Sequence, residues 1–179
     1  QGRPVYPDAN GTLRVTYGSV DGYPAADGVY KTPFTSVRGL IAKNTNTVPF
    51  NAPANLVAAY NNKQYGDFYY QTLDATPEQG WLCSLVGCEQ PKVSEFNSIP
   101  VNFLSSADTT GGNSGSPVMN GRGELVGLNF DSTYESITKD WYFNAKITRA
   151  IHVDIRYILW LMSEVDNAEN LLAEMDVVK

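Results

Sequence analysis

The sequence predicts a mainly β domain that ends in α-helices, and three observations predict it. Gly (15) and Pro (10) punctuate the chain at short intervals. Tyr (11) and the Val/Ile content fill the segments between them with residues suited to a pleated surface. Only the tail, residues 156–175, carries a sustained helical period.

The 179 residues suit one domain, and an apolar content of 42% against 18% charged supplies a core and argues against disorder. The net charge of -6 argues against nonspecific binding to nucleic acid or anionic membrane. No apolar run is long enough for a transmembrane helix, and the start, QGRPVYPDAN, predicts no signal peptide.

Residues 12–20 alternate Leu13, Val15 and Tyr17 against Arg14 and Thr16, which predicts a half-buried strand. DGYPAADG (21–28) is turn chemistry, and 29–35 reads as a strand whose Pro33 suits an edge. Residues 53–66 predict a helix with Pro53 at its first position and Gly66 at its end. Residues 74–91 read as a loop. A strand is expected over 98–108. A hairpin is expected over 116–131, turning at Asn120-Gly121-Arg122-Gly123. Two more strands are expected over 140–148 and 151–155, before the helical tail.

The loop carries Cys83 and Cys88. Two cysteines with no neighbouring His cannot make a four-ligand zinc site, so a short disulfide or two free thiols remain. Such a bridge would contribute roughly 2 kcal/mol. Neither thiol has a base beside it, so neither is a catalytic candidate.

The chemistry concentrates in Thr109-Thr110-Gly111-Gly112-Asn113-Ser114-Gly115-Ser116-Pro117. Glycines on a tight loop adopt positive φ and let a substrate approach the backbone. Such a turn can aim the Gly112 and Ser114 N–H groups at one point, an oxyanion hole, with the Ser114 hydroxyl as attacker. The alternative is a polar, Gly-rich turn with no chemistry. It is not a phosphate loop, since it lacks the Lys and leads into a strand.

Gly112-Asn113-Ser114-Gly115-Ser116-Pro117, followed by Leu125-Val126-Gly127 in a hairpin, resembles the G-D-S-G-G-P segment of chymotrypsin-like serine proteases. Asn113 replaces the usual Asp, which suggests a bacterial, non-zymogen branch. YPDANGTLRVTYGSVDGY, TTGGNSGSPVMNGRGELVGLNFD and HVDIRYILW narrow the likeness to the bacterial serine dipeptidyl-peptidases of the dipeptidyl-peptidase 7 and 11 type. The resemblance implies the second barrel of a chymotrypsin-like double β-barrel with C-terminal α-helices. Residues 1–179 would then be the C-terminal half of a serine peptidase catalytic domain, without the half that bears His and Asp and without the helical insert. It also implies release of N-terminal dipeptides and export to the periplasm or cell surface. The expected partners are a peptide with a free N-terminus, the missing N-terminal part and, in the full-length protein, a second copy. No cofactor or metal is expected.

The clan runs His, Asp, Ser along the chain, yet the single histidine, His152, follows Ser114. One reading makes Ser114, Asp131 or Asp140, and His152 a local triad in α/β-hydrolase order. The favoured reading makes His152 a strand residue without a role in proton transfer. The isolated chain is then expected to be inactive, because Ser114 has no base. Losing one such member costs about 10⁶-fold in turnover in a comparable enzyme.

By the same resemblance Leu128, Asn129, Phe130, Asp131 and Ser132 line the substrate site. Asp131 matches the carboxylate that holds the substrate's α-ammonium; a strand-end turn residue is the alternative. Ser132 matches the position where Arg goes with acidic P1 side chains and a small residue with apolar ones, so an apolar or broad P1 is expected. Asp108, six residues before Ser114, stands at the pocket-floor offset of trypsin, but a turn-capping role is favoured. Trp141 and Tyr65 to Tyr70 read as core and surface aromatics, and residues 164–176 as a solvated helix face.

Overall fold

The computed structural model of the chain describes residues 13–70 and 96–177. Cys83 and Cys88, and the loop that carries them, lie outside the described residues. A hairpin of β1 (Tyr23–Ala26) and β2 (Val29–Lys31) turns at Asp27-Gly28. It precedes β3 (Phe34–Ser36), α1 (Val37–Lys43) and α2 (Ala54–Asn61). Then come β4 (Pro100–Ser105), β5 (Pro117–Met119), β6 (Leu125–Ser132) and β7 (Ala150–Asp154). The described chain ends in α3 (Ile155–Trp160), a π-helical turn (Leu161–Val165) and α4 (Glu169–Leu172). Five strands form one antiparallel sheet in the order β3-β4-β7-β6-β5. That sheet is open, as expected of part of a barrel.

The hairpin expected at 116–131 is β5 and β6, and its turn is built by side chains. Asn120 Oδ1 accepts the N–H groups of Arg122 and Glu124. Glu124 takes the Arg122 guanidinium at 2.7 Å, and with Asn120 this holds its carboxyl at about 2. The strands expected over 98–108 and 151–155 are β4 and β7. The predicted helix of 53–66 is shorter: Pro53 caps α2, and Lys63 at φ 58 ends the helical path. Sequence reasoning missed α1, although Ser36 marks it by accepting the Gly39 N–H on its Oγ.

Three expectations are corrected. Residues 13–19 form no strand. Only Val20 bridges to Ser105, and Leu13, Val15 and Tyr17, expected to be half-buried, are exposed. The chain runs along β4 for a few residues only, through Ser106 N–H to Ser19 O and Asp21 N–H to Leu104 O. The rest finds no ladder partner among the described residues. Residues 21–28 are not all turn, because Tyr23–Ala26 pairs with β2 around a bulge that accommodates Pro24 and Ala25. Residues 140–148 form successive turns instead of a strand. Thr138 O accepts both Trp141 and Tyr142 N–H, while Asn144 O accepts Ile147 and Thr148 N–H. Asn144 Oδ1 also accepts the Lys146 N–H at 3.0 Å. Side-chain acceptors at Asn144 outcompete a ladder.

The apolar core joins Val37, Leu56, Ala59, Ile99 and Trp160, so the helices close over the start of β4. Trp160 is fully buried and donates its indole N–H to Gln64 O at 2.7 Å. Elsewhere the sheet buries polar side chains beside Phe103 and Ala150. Ser105, Asn129, His152 and Asp154 are all buried and line one open cavity of about 1130 Å³, together with Phe103. Arg149, 3% exposed, uses its whole guanidinium on five oxygens of Asp21, Gly22, Ala145 and Thr148. It thereby ties the segment before β1 to the loop before β7.

Candidate active site

Ser114 sits at the exposed tip of the loop between β4 and β5. Glycines on either side, Gly112 at φ 92 and Gly115 at φ 82, give the loop its left-handed turns. Asn113 stabilises the first turn, since its Oδ1 accepts the Thr110 N–H at 2.9 Å and its N–H donates to Thr110 O at 3.2 Å. The side chain at this position is thus a local cap, a role open to neutral Asn.

Asn129 of β6 holds the other side of the loop. Its O accepts the Gly115 N–H at 2.7 Å, and its N–H donates to Ser116 O at 2.9 Å. These bonds extend the β5–β6 ladder into the loop. Its Nδ2 donates to Asn113 O at 3.3 Å, an oxygen that also accepts the Ser116 N–H at 2.9 Å. The N–H groups of Gly112 and Ser114 have no acceptor among the described residues. The Ser114 hydroxyl makes one long contact, donating to Phe130 O at 3.4 Å. An exposed hydroxyl with one long contact, on a loop that leaves the Gly112 and Ser114 N–H groups unengaged, can attack a carbonyl and hold the oxyanion that results.

The end of β6 places the other candidates beside this loop. A bulge between Asn129 and Asp131 makes Phe130 the extra residue. Phe130 and Asp131 are exposed, and Asp131 Oδ1 accepts the Ser132 N–H at 2.8 Å. Ser132 is half-buried and pairs with Ala150, and Leu128 pairs with Val153. Lys139 was not singled out from the sequence. Its ammonium donates to Thr109 O, five residues before Ser114.

His152 is 2% exposed, and its Nε2 meets Ser105 Oγ at 2.7 Å. The Phe103 ring lies 4.9 Å from the imidazole. Burial pushes its pKa down from 6.5 to about 4, so the ring is neutral at neutral pH. No carboxylate bonds to it, so the structure does not assemble Ser114, Asp131 or Asp140, and His152 into a local triad. Asp108 caps no turn. Its Oδ1 is buried without a hydrogen-bond partner, while its N–H donates to Thr16 Oγ1. Trp141 is exposed, and Tyr65 stacks on Tyr69. No group of acidic, His or Cys side chains among the described residues could hold a metal.

The depressed His152 pKa predicts an acid-sensitive fold. Above pH 6.5 neither the folded nor the unfolded ring is charged. As the pH falls from 6.5 to about 4 the unfolded ring takes up a proton that the folded one excludes, so stability is lost across that window. Thermal midpoints of the full-length protein should fall more steeply there than those of His152→Gln. Parallel curves would contradict the assignment.

Residues 1–177 match the family model for peptidase S46. The chain is 61% identical over 98% of its length to an Asp/Glu-specific dipeptidyl-peptidase of Shewanella putrefaciens, of which it covers 24%. It is 37% identical over 98% of its length to dipeptidyl-peptidase 7 of Phocaeicola vulgatus, of which it covers 21%. Among solved structures, Porphyromonas endodontalis DPP11 in complex with substrate superposes with a TM-score of 0.74 at 34% identity, over 97% of this chain and 22% of that one. The chain therefore spans about a fifth to a quarter of the relatives it matches, and it belongs to the peptidase S46 family.

Proposed function

We propose that this chain supplies the nucleophile, the oxyanion hole and one wall of the substrate site of a serine dipeptidyl-peptidase. The observation that carries the proposal is the exposed Ser114, held between two positive-φ glycines beside the unengaged N–H groups of Gly112 and Ser114. The dipeptidyl-peptidase names of the relatives support the reaction class. The single histidine is buried against Ser105, so the base that deprotonates Ser114 comes from polypeptide beyond this chain. That polypeptide supplies the first half of a chymotrypsin-like pair of barrels, and the isolated chain is inactive. The whole enzyme is exported to the periplasm or cell surface.

The catalytic cycle follows from this reading. The external base takes the Ser114 proton as Oγ attacks the carbonyl carbon of the second substrate residue. The N–H groups of Gly112 and Ser114 receive the oxyanion. Collapse expels the amine of the shortened peptide, which takes the proton held by the base; water, deprotonated by the same base, then releases the dipeptide, and Ser114 Oγ recovers its proton. The exposed Asp131 carboxylate binds the substrate's α-ammonium, which fixes the cut two residues from the N-terminus.

Asp131→Ala in the full-length enzyme is expected to lower kcat/KM for free-N-terminus dipeptidyl amides about 10- to 100-fold, the scale of one charge-assisted hydrogen bond. Cleavage of N-blocked peptides should not fall with it. Equal losses on both substrates would remove Asp131 from this role. The same amides resolve the P1 preference. Ser132 is small and uncharged, which supports apolar or broad P1. The name of the Shewanella relative favours Asp or Glu, for which the Lys139 ammonium beside Thr109 offers a cation. Full-length enzyme that hydrolyses no dipeptidyl amide would instead favour a noncatalytic binding module.

A further inference from the structure

The peptide joining Asn113 to Ser114 is planar, so its N–H points opposite to its C=O. Asn113 O is gripped by the Ser116 N–H and by Asn129 Nδ2. That grip aims the Ser114 N–H away from β6. The orientation of one oxyanion donor thus depends on the Asn129 amide. A flipped amide would present Oδ1 to Asn113 O, two acceptors face to face.

At the far end of that amide, Asn129 Oδ1 is buried without a donor. His152 lies directly opposite Asn129 in the β6–β7 register, so the two side chains share a face. Ser105 Oγ accepts the Ala107 N–H at 3.3 Å and meets His152 Nε2 at 2.7 Å, and the tautomer taken here has the hydroxyl donating to that nitrogen. A neutral ring that accepts at Nε2 carries its hydrogen on Nδ1. His152 Nδ1 is buried without an acceptor. An orphaned donor therefore stands across the ladder from an orphaned acceptor, and such pairs are rare in folded interiors. Both residues line the same cavity, beside the polar side chains of Ser105 and Asp154, and it is roomy enough for water. The charged side chain beside them on this face of β7, Asp154, is committed to Arg156 at 2.7 Å.

We propose that His152 is a positioning residue for the oxyanion hole: its Nδ1–H, joined to Asn129 Oδ1 through one bound water, fixes the amide that grips the Asn113–Ser114 peptide. This rests on the reading of Ser114 and Gly112 given above. His152 touches neither substrate nor nucleophile. It acts through Asn129.

Two substitutions in the full-length protein separate the two ring nitrogens. His152→Asn keeps a donor near the Nδ1 position and loses the Ser105 contact. His152→Gln does the reverse. Active sites are titrated with a fluorophosphonate, and kcat is taken per reactive site on a dipeptidyl amide. His152→Gln is expected to lower kcat about 10- to 100-fold, short of the 10²–10³ of a deleted oxyanion donor, with KM nearly unchanged. His152→Asn should stay within about threefold of the parent, because the Asn129-facing donor survives. Equal losses, no loss in either, or a larger loss in His152→Asn would overturn the proposal. If neither variant folds, a crystal structure of the unsubstituted full-length protein decides. A water within hydrogen-bond reach of both His152 Nδ1 and Asn129 Oδ1 supports the relay; any other partner for either atom overturns it. Ser114→Ala in the same assay keeps the two readings apart, since an active Ser114→Ala enzyme defeats the nucleophile itself.

Discussion

Ser114→Ala in the full-length enzyme is expected to lower the turnover of dipeptidyl amides about 10⁶-fold, as loss of the nucleophile does in a comparable serine protease. The hydroxyl is exposed, and its one contact, to Phe130 O at 3.4 Å, is too long to hold it away from a substrate. The loop keeps its shape without that hydroxyl. Its turns rest on Gly112, Gly115 and the Asn113 cap, and its docking on Asn129. Substrate affinity should therefore stay within a few-fold while chemistry is lost. Steady-state kinetics and fluorophosphonate labelling measure this together. A fall of less than about 10³-fold, the size of a lost oxyanion donor, would show that another group attacks.

Arg149→Met is expected to destabilise the domain by about 3–5 kcal/mol, although it lies outside the Ser114 loop. The guanidinium is buried and satisfies Gly22 O at 2.8 Å and Thr148 O at 2.7 Å, among others. Met fills much of the volume but donates nothing, so carbonyls of Gly22, Ala145 and Thr148 are left unpaired, at about 1–3 kcal/mol for each that stays dry. The ion pair with Asp21 matters less, because that carboxylate is half exposed. The loss should appear as a lower thermal midpoint of the full-length protein. A shift no larger than that of a surface substitution would mean that water replaces the guanidinium.

The parts of the fold that were legible in the sequence are those with short-range causes. Asn120-Gly121-Arg122-Gly123 makes its own turn, and β7 and its following helix switch from alternation to helical period within a few residues. The parts that were not legible depend on partners far along the chain. Leu13, Val15 and Tyr17 alternate correctly, yet alternation makes a strand only where another strand lies beside it. Residues 140–148 carry apolar side chains, but Asn144 folds them into turns. At the candidate site, glycine spacing marked the Ser114 loop. Nothing local could mark Lys139, which reaches Thr109 from thirty residues away. The pairing of Asn129 with His152 was equally hidden, because it exists only through strand register.

The extra residue in β6 falls immediately after Asn129, at Phe130. Upstream of it the strand is hydrogen-bonded to the Ser114 loop; downstream it carries Asp131 and Ser132. On the function proposed above, the bulge is a joint between the part that cuts and the part that chooses. On that reading, changes at 131 and 132 retune which peptides are admitted while the Ser114 loop keeps its hydrogen bonds to Asn129.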